Sequence, residues 1–210
     1  MNTVARAAIG GAVLLAGVAS YALTLLDRSP YTTDAGIVRN QPVPFSHEHH
    51  VRGLGLDCRY CHTSVESSHF AGLPPTEICM TCHSKEWTNA AILEPVRASW
   101  RENRPISWTR VHNLPDFVYF NHSIHIAKGV GCAVCHGPVD QMPLMYQYAS
   151  LQMEFCIRCH RDPAPYLREP KDVFDMTYQP PANQKDLGRQ LVEREHIKVG
   201  QLANCYVCHR

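Results

Sequence analysis

The residues of this chain that could carry chemistry are its 10 cysteines and 13 histidines. All ten cysteines occur in Cys-x-x-Cys pairs, and a histidine directly follows the second cysteine of every pair. This pattern is typical of covalent c-type haem attachment, in which two thiols bind one porphyrin and the histidine binds its iron. The five motifs, numbered as sites I to V, are Cys58, Cys61 and His62; Cys79, Cys82 and His83; Cys132, Cys135 and His136; Cys156, Cys159 and His160; and Cys205, Cys208 and His209.

Two other uses of Cys-x-x-Cys pairs explain the pattern less well. The spacings from Cys58 to Cys82 and from Cys132 to Cys159 resemble zinc sites built from four thiolates. Zinc, however, gives no reason for a histidine after every pair, and with 13 histidines in 210 residues five such coincidences have a probability on the order of one in a million. Thioredoxin-like redox pairs do not occur in five copies without a β-α-β pattern. The sequence therefore predicts five haem c groups and leaves no cysteine for a disulfide framework.

A second ligand on each iron decides what such a haem does, because a six-coordinate iron passes electrons whereas an open one binds small molecules. Two Phe-x-His-x-x-His segments lie 11 and 10 residues before the first cysteines of sites I and III. Histidines three residues apart share a helix face, so one segment can serve two neighbouring haems. The predicted distal ligands are His47, His50, His122 and His125, with His112 as the fifth and Met142 or Met153 as alternatives; His49, His69 and His196 are expected to lie at the surface or in hydrogen bonds.

The motifs divide the chain into two dihaem modules, at about residues 44–83 and 119–160, and a fifth site at 205–209. Five haems in roughly 180 residues are too many for separate apolar cores. We therefore expect a mainly irregular fold with short α-helices, in which the porphyrins form the core. Asn183 is a candidate helix cap, and the residues after it predict a short helix that ends near Glu195.

An uncharged run of 20 residues, Ala7 to Leu26, precedes the first motif. At the helical rise it is about 30 Å long, the thickness of one bilayer core. The alternative is a cleaved signal peptide that ends at Ala22. We favour a single transmembrane anchor over residues 1–28. Thioether haem is assembled outside the cytoplasmic membrane, so residues 29–210 are expected to form a haem domain on the periplasmic side.

The charge balance argues against binding of nucleic acid, because the 20 Lys and Arg residues are nearly balanced by 19 Asp and Glu residues. Two propionates on each haem would make the loaded protein more negative. Arginine pairs with carboxylates through two parallel hydrogen bonds. The candidate propionate partners are Arg59, Arg101, Arg104, Arg110, Arg158 and Arg161.

Together, the Phe-x-His-x-x-His segments and the Cys-x-x-Cys-His motifs resemble class III multihaem cytochromes of the c3/c7 type. The whole pattern resembles the pentahaem, membrane-anchored cytochrome subunit of bacterial alternative complex III. The segments that carry this resemblance are Trp-Thr-Arg-Val-His at 108–112, Leu-Pro-Asp-Phe-Val-Tyr-Phe-Asn-His at 114–122, and residues 132–142, 151–156 and 178–183. The resemblance implies that His47 and His122 ligate the haems of sites I and III, while His50 and His125 reach neighbouring haems.

The resemblance also implies a function. The chain would be an electron-transfer subunit of a quinol-oxidising membrane complex, without catalysis of its own. Its partners would be other membrane and periplasmic subunits, including an iron–sulfur protein and a monohaem cytochrome c, together with membrane lipid. Two alternatives remain: a stand-alone NapC/NrfH-like quinol dehydrogenase that feeds a periplasmic reductase, and a catalytic multihaem reductase with an open iron that carbon monoxide would reveal.

Overall fold

The N-terminus of the chain is one long helix. The computed structural model describes residues 2–209, and α1 extends from Thr3 to Asp27. It begins where the Asn2 side chain accepts a hydrogen bond from the amide of Ala5, at 2.9 Å. No residue of α1 is buried, and the helix is long and apolar enough to cross a membrane. The predicted apolar run therefore forms a single helix whose apolar side chains are exposed.

Beyond α1, the described residues form short helices joined by irregular segments. Many helices are a single turn because glycines and prolines interrupt the chain at close intervals. The α-helices are α2 (Pro30–Thr33), α3 (Cys58–Cys61), α4 (Thr76–His83), α5 (Glu94–Glu102), α6 (His122–Ala127), α7 (Cys132–His136), α8 (Met153–Arg161), α9 (Gln184–Arg194), α10 (Val199–Leu202) and α11 (Cys205–Cys208). A π-helix covers Glu48–Gly53, and 3-10 turns cover Ala91–Leu93, Val139–Gln141, Ala164–Tyr166 and Pro170–Asp172.

Residues 2–209 contain no β-strand, and their extended pairings are four isolated bridges. The prediction of a mainly irregular fold with short helices is confirmed. The helix predicted after Asn183 is also confirmed, as α9, although Asn183 makes no side-chain capping bond. This helix packs on the turn Ala164–Tyr166 so closely that a β-carbon on Gly188 would lie 1.9 Å from the carbonyl oxygen of Ala164.

Few apolar side chains are buried in this fold. The largest side chains that are almost completely buried are Met142, Leu167, Val173 and Leu191. A second group, Val43, Leu93 and Val96, packs beside α4 and α5. Such a small apolar core is what we expect if the sites themselves fill the interior.

The end of α1 is fixed to the segment that leads into α8. Arg28 forms an ion pair with Glu154 at 2.7 Å, and the Gln152 amide donates to the carbonyl of Asp27 at 2.8 Å. Behind this contact, the buried Gln147 side chain donates to the carbonyl of Thr33 at 2.7 Å. Because α8 carries the cysteines of site IV, this site lies beside the end of the apolar helix.

Candidate haem-binding sites

Each Cys-x-x-Cys pair lies within a helical turn. Helices α3, α7 and α11 begin at the first cysteine of their motif, and α4 and α8 contain the whole motif. Residues three apart lie on one side of a helix, so both thiols of a pair point the same way. All ten thiols are free. This is the arrangement that two thioether bonds to one porphyrin require.

The zinc interpretation finds no support in the geometry. Within residues 2–209, no group of three or more histidine, cysteine, aspartate or glutamate side chains is arranged to hold a metal ion. A structural zinc site needs four such ligands around one point. Within these residues, no two Cys-x-x-Cys pairs form such a group of four ligands.

The five histidines that follow the pairs share one feature: the Nδ1 atom of each ring is hydrogen-bonded. In four of them the acceptor is a backbone carbonyl, which fixes the proton on Nδ1 and leaves the lone pair of Nε2 free. Metal-binding histidines are held in this way almost without exception. The bonds are His62 to Gly72 O at 2.8 Å, His83 to Glu86 O at 3.3 Å, His160 to Leu202 O at 2.9 Å, His209 to Phe117 O at 3.3 Å, and His136 to His112 Nε2 at 3.2 Å.

Three of the predicted distal histidines face the histidine of a Cys-x-x-Cys-His motif. An imidazole nitrogen binds a metal ion at about 2 Å, so two rings on opposite sides of one iron have centres on the order of 6 Å apart. The Nδ1 atoms of the three distal histidines also donate to backbone carbonyls: His50 to Ser46, His122 to His69 and His125 to Asn121. The ring-centre distances are 6.3 Å for His50 and His83, 6.3 Å for His122 and His136, and 6.1 Å for His125 and His160.

The fourth pair, at site I, is indicated by electrostatics and burial. Burial, followed by the charge of His62, lowers the pKa of His47 to about 4. The Nδ1 atom of His47 is buried and has no hydrogen-bond partner. His47 is thus a neutral imidazole near His62, which is the protonation state in which imidazole binds a metal.

The remaining predicted distal residues lie elsewhere. His112 contacts the Nδ1 edge of His136, and the ring contact of His209 within the described chain is with Phe117, at 5.8 Å. Met142 is 1% exposed, and Met153 is 70% exposed. The structure therefore places His50, His122 and His125 opposite motif histidines and His47 near His62, and it does not bring His112 beside His209.

The other histidines occupy the positions expected of them. His49 stacks on Trp87 with ring centres 5.8 Å apart. His69 is exposed and uses its backbone carbonyl to hold His122. His196 is exposed and has a positive φ of 52°.

A cavity of about 960 Å³ lies between sites III, IV and V. It is large enough for a bulky ligand, since small-molecule pockets commonly measure about 300–1,000 Å³. Most of its lining is apolar, as a porphyrin face requires. The site residues that line it are His125, Cys135, Cys156, Cys159, His160 and Cys208.

Burial controls the protonation of one motif histidine, His136, and of two motif cysteines, Cys135 and Cys159. Burial, followed by the charges of His112 and His122, lowers the pKa of His136 to about 3. Burial also raises the pKa of the Cys135 thiol to about 12 and that of Cys159 to about 11. The His136 imidazole is therefore neutral, and the Cys135 and Cys159 thiols are protonated, at neutral pH.

Most of the arginines proposed for propionates are already paired with other groups. Arg59 bonds to Asp57 at 2.9 Å, and Arg101 bonds to Glu94 at 2.6 Å. Arg104 pairs with Glu102. Arg158 lies over the Phe155 ring and lines the large cavity, so it is the best placed of that group to meet a bound carboxylate.

Sequence reasoning missed Arg168, which is 7% exposed and lines the same cavity. Its Nη1 donates to the carbonyls of Asp172 and Asp175 at 3.3 and 3.0 Å, and its buried Nε has no partner. A β-carbon on Gly131 would lie 2.2 Å from the guanidinium carbon. The glycine directly before Cys132 was therefore the available signal, because glycine marks close approach of another group to the backbone.

Comparisons with known proteins agree with this geometry. Residues 118–210 match the family described as cytochrome c7 and related cytochrome c. A curated protein of Nitratidesulfovibrio vulgaris, the multiheme cytochrome c subunit of menaquinone reductase, is 29% identical over 181 residues. The alignment covers 82% of this chain and 78% of that protein. Both relationships point to the same cofactor chemistry as the motif geometry does: the chain is similar to multihaem c-type cytochromes, its part from residue 118 onward is similar to cytochrome c7, and it also has one N-terminal apolar helix.

Proposed function

We propose that this chain carries five haem c groups and relays electrons as the membrane-anchored cytochrome subunit of a quinone- or quinol-reactive complex. A bound haem c supplies one-electron exchange at its iron. The observation that carries the proposal is a repeated pairing of imidazole rings. At sites II, III and IV, the ring of the motif histidine faces a second histidine ring, with centres 6.1 to 6.3 Å apart. Irons held between two protein ligands transfer electrons rather than bind substrate.

Neighbouring sites share structural elements, and this sharing supports an order for the electron path. At one end, site II is joined to site I. The hydroxyl groups of Tyr60 and Thr81 are hydrogen-bonded at 2.9 Å. His47 and His50, which face sites I and II, lie one turn apart at the start of the same π-helix.

Site I is joined to site III through one shared segment. The guanidinium of Arg59 lies 4.5 Å from the centre of the Phe174 ring, and the amide of Cys132 donates to the adjacent carbonyl, that of Val173, at 3.2 Å. On the other side, Arg52 of the π-helix forms an ion pair with the buried Asp140, just beyond site III, at 3.2 Å. The two dihaem modules therefore meet at these two sites.

Sites III, IV and V surround the large cavity. His122 and His125, which face sites III and IV, share α6. His160 of site IV donates to Leu202 of α10, three residues before site V, and the carbonyl of Cys208 accepts from Tyr119, three residues before α6. We propose the order II, I, III, IV, V, with site IV beside the anchor.

We also propose where the chain lies and with what. A helix such as α1 is compatible with single-pass anchoring, and we propose the periplasmic side for the remainder because c-type haem is attached outside the cytoplasmic membrane. The relative's name supports a menaquinone-reactive complex, and alternative complex III, with its iron–sulfur and monohaem cytochrome subunits, is our specific candidate. In either assembly, the quinone site would belong to other subunits.

The decisive experiment isolates the tagged full chain from its native membranes in a mild detergent. We expect it to co-purify with polytopic membrane subunits and an iron–sulfur subunit, and we expect menaquinol to reduce its haems within that assembly. The chain separated from its partners should not be reduced by menaquinol. Direct reduction of the separated chain would instead support the stand-alone quinol dehydrogenase and contradict the relay proposal.

A further inference from the structure

One of the five motif histidines has a hydrogen-bond partner unlike that of the other four. His136 bonds through Nδ1 to the Nε2 atom of His112 at 3.2 Å, and the two rings are 4.4 Å apart at an angle of 73°. The corresponding atoms of the other motif histidines bond to backbone carbonyls. Site III is therefore the one site of the described chain whose motif histidine is held by a side chain.

The direction of this bond follows from the position of the ring. His136 faces His122 across the space for one iron, at 6.3 Å. If Nε2 of His136 binds that iron, its proton resides on Nδ1 and is donated to His112. His112 then accepts through its own Nε2, so the atom it would offer to an iron is already engaged.

The segment that carries His112 is fixed in place. The side chain of Gln41 donates to the carbonyl of Thr109 at 2.8 Å and accepts from the amide of Thr109 at 2.9 Å. One residue beyond His112, the Asn113 side chain accepts from Arg110 at 2.9 Å. His112 therefore approaches His136 from a segment held on both sides of it.

We propose that His112 is a positioning residue for site III that sets the orientation and donor strength of His136, and that it is not a distal ligand of the fifth haem. An acceptor on Nδ1 makes an imidazole a more basic ligand. A more basic ligand favours ferric iron and lowers the reduction potential. At the other sites the acceptor is a backbone carbonyl. Site III therefore has a side chain, the neutral imidazole of His112, that can adjust its reduction potential. The inference rests on the proposed loading with five haems.

The test uses the full chain purified from membranes, with each haem potential resolved by a spectroelectrochemical titration. His112→Phe keeps a ring but removes the acceptor, and His112→Leu removes both. His112→Asn keeps an acceptor oxygen on a shorter side chain. His196→Asn is the control, since it removes an exposed imidazole outside the five sites and leaves the segment around His112 unchanged.

We expect one potential to rise in His112→Phe and His112→Leu, while the other four stay unchanged. No haem should change its spin state or gain carbon monoxide binding relative to the unaltered chain. His112→Asn should recover part of the shift, and His196→Asn should cause none. If His112→Leu fails to load five haems, His112→Phe decides the question.

Three results would overturn the proposal. Unchanged potentials in the acceptor-free variants would remove the tuning role. A new high-spin, carbon monoxide-binding haem would make His112 an iron ligand, and a joint shift of several haems would make it a general packing residue. Fewer than five haems in the unaltered chain would instead defeat the proposed function, so the two failures are distinguishable.

Discussion

The imidazole rings of His122 and His136 lie 6.3 Å apart and are nearly parallel, at 11°. They belong to consecutive helices, α6 and α7, which a four-residue connection joins. Gly129 in this connection has a φ of 83°, and a β-carbon there would lie 2.4 Å from the carbonyl oxygen of Arg168. The glycine thus permits the sharp reversal that brings a distal histidine across from the motif histidine of the same module.

The first prediction separates two adjacent histidines of the π-helix. His50→Ala should leave the iron of site II without its second ligand, because His50 is the ring that faces His83. We expect one haem to become high-spin and to bind carbon monoxide when reduced. His49→Ala is the control, since His49 stacks on Trp87 and its removal should leave the spin state of every haem as in the unaltered chain. New carbon monoxide binding in both variants, or in neither, would contradict the assigned pairing.

The second prediction concerns the order of the sites. In His50→Ala, carbon monoxide should keep the site II iron reduced and diamagnetic while the other haems are reoxidised. Because site II is proposed as an end of the path, only one other haem should lose a magnetic neighbour in electron paramagnetic resonance spectra. In His47→Ala, the same treatment of site I should affect two haems, II and III. Equal effects from both variants would contradict the order.

The short-helix fold could be predicted from sequence because it follows from local spacing, and the five attachment sites remain predictions from the same kind of local pattern. Cys-x-x-Cys-His fixes its own geometry within five residues, and glycine and proline interrupt helices locally. The contact between His112 and His136 could not be predicted, since it joins residues 24 positions apart through an irregular segment. Arg168 was missed because backbone carbonyls, its hydrogen-bond partners, have no sequence signature, and Gly131 was the one indication of its close approach to site III.

The third prediction tests the buried guanidinium of Arg168. Arg168→Gln leaves the carbonyls of Asp172 and Asp175 without their donor, and unpaired buried polar groups are costly. We expect the free energy of unfolding to fall by about 2 kcal/mol, measured by denaturant titration of the haem-loaded chain. Arg189→Gln, an exposed arginine paired with Asp186, should change it by less than about 0.5 kcal/mol. Similar losses in both variants would show that burial of Arg168 contributes little.

The fourth prediction compares two helical glycines. Gly188→Ala places a methyl group against the carbonyl of Ala164 and should separate α9 from the turn beneath it. We expect a loss of about 2 kcal/mol or more in the free energy of unfolding. Gly200→Ala has nothing within 4 Å of the new carbon and should be neutral or slightly stabilising. Calorimetry of the two variants checks the difference, and a tolerated Gly188→Ala would contradict the close packing of α9.

The most direct measurement counts the haems that remain attached to the denatured, full-length chain. A pyridine haemochrome assay against protein concentration, together with the intact mass, should return five haems per chain, retained through denaturation because each is bound by two thioethers. Extractable pigment, or a mass that accounts for fewer than five haems, would contradict the account.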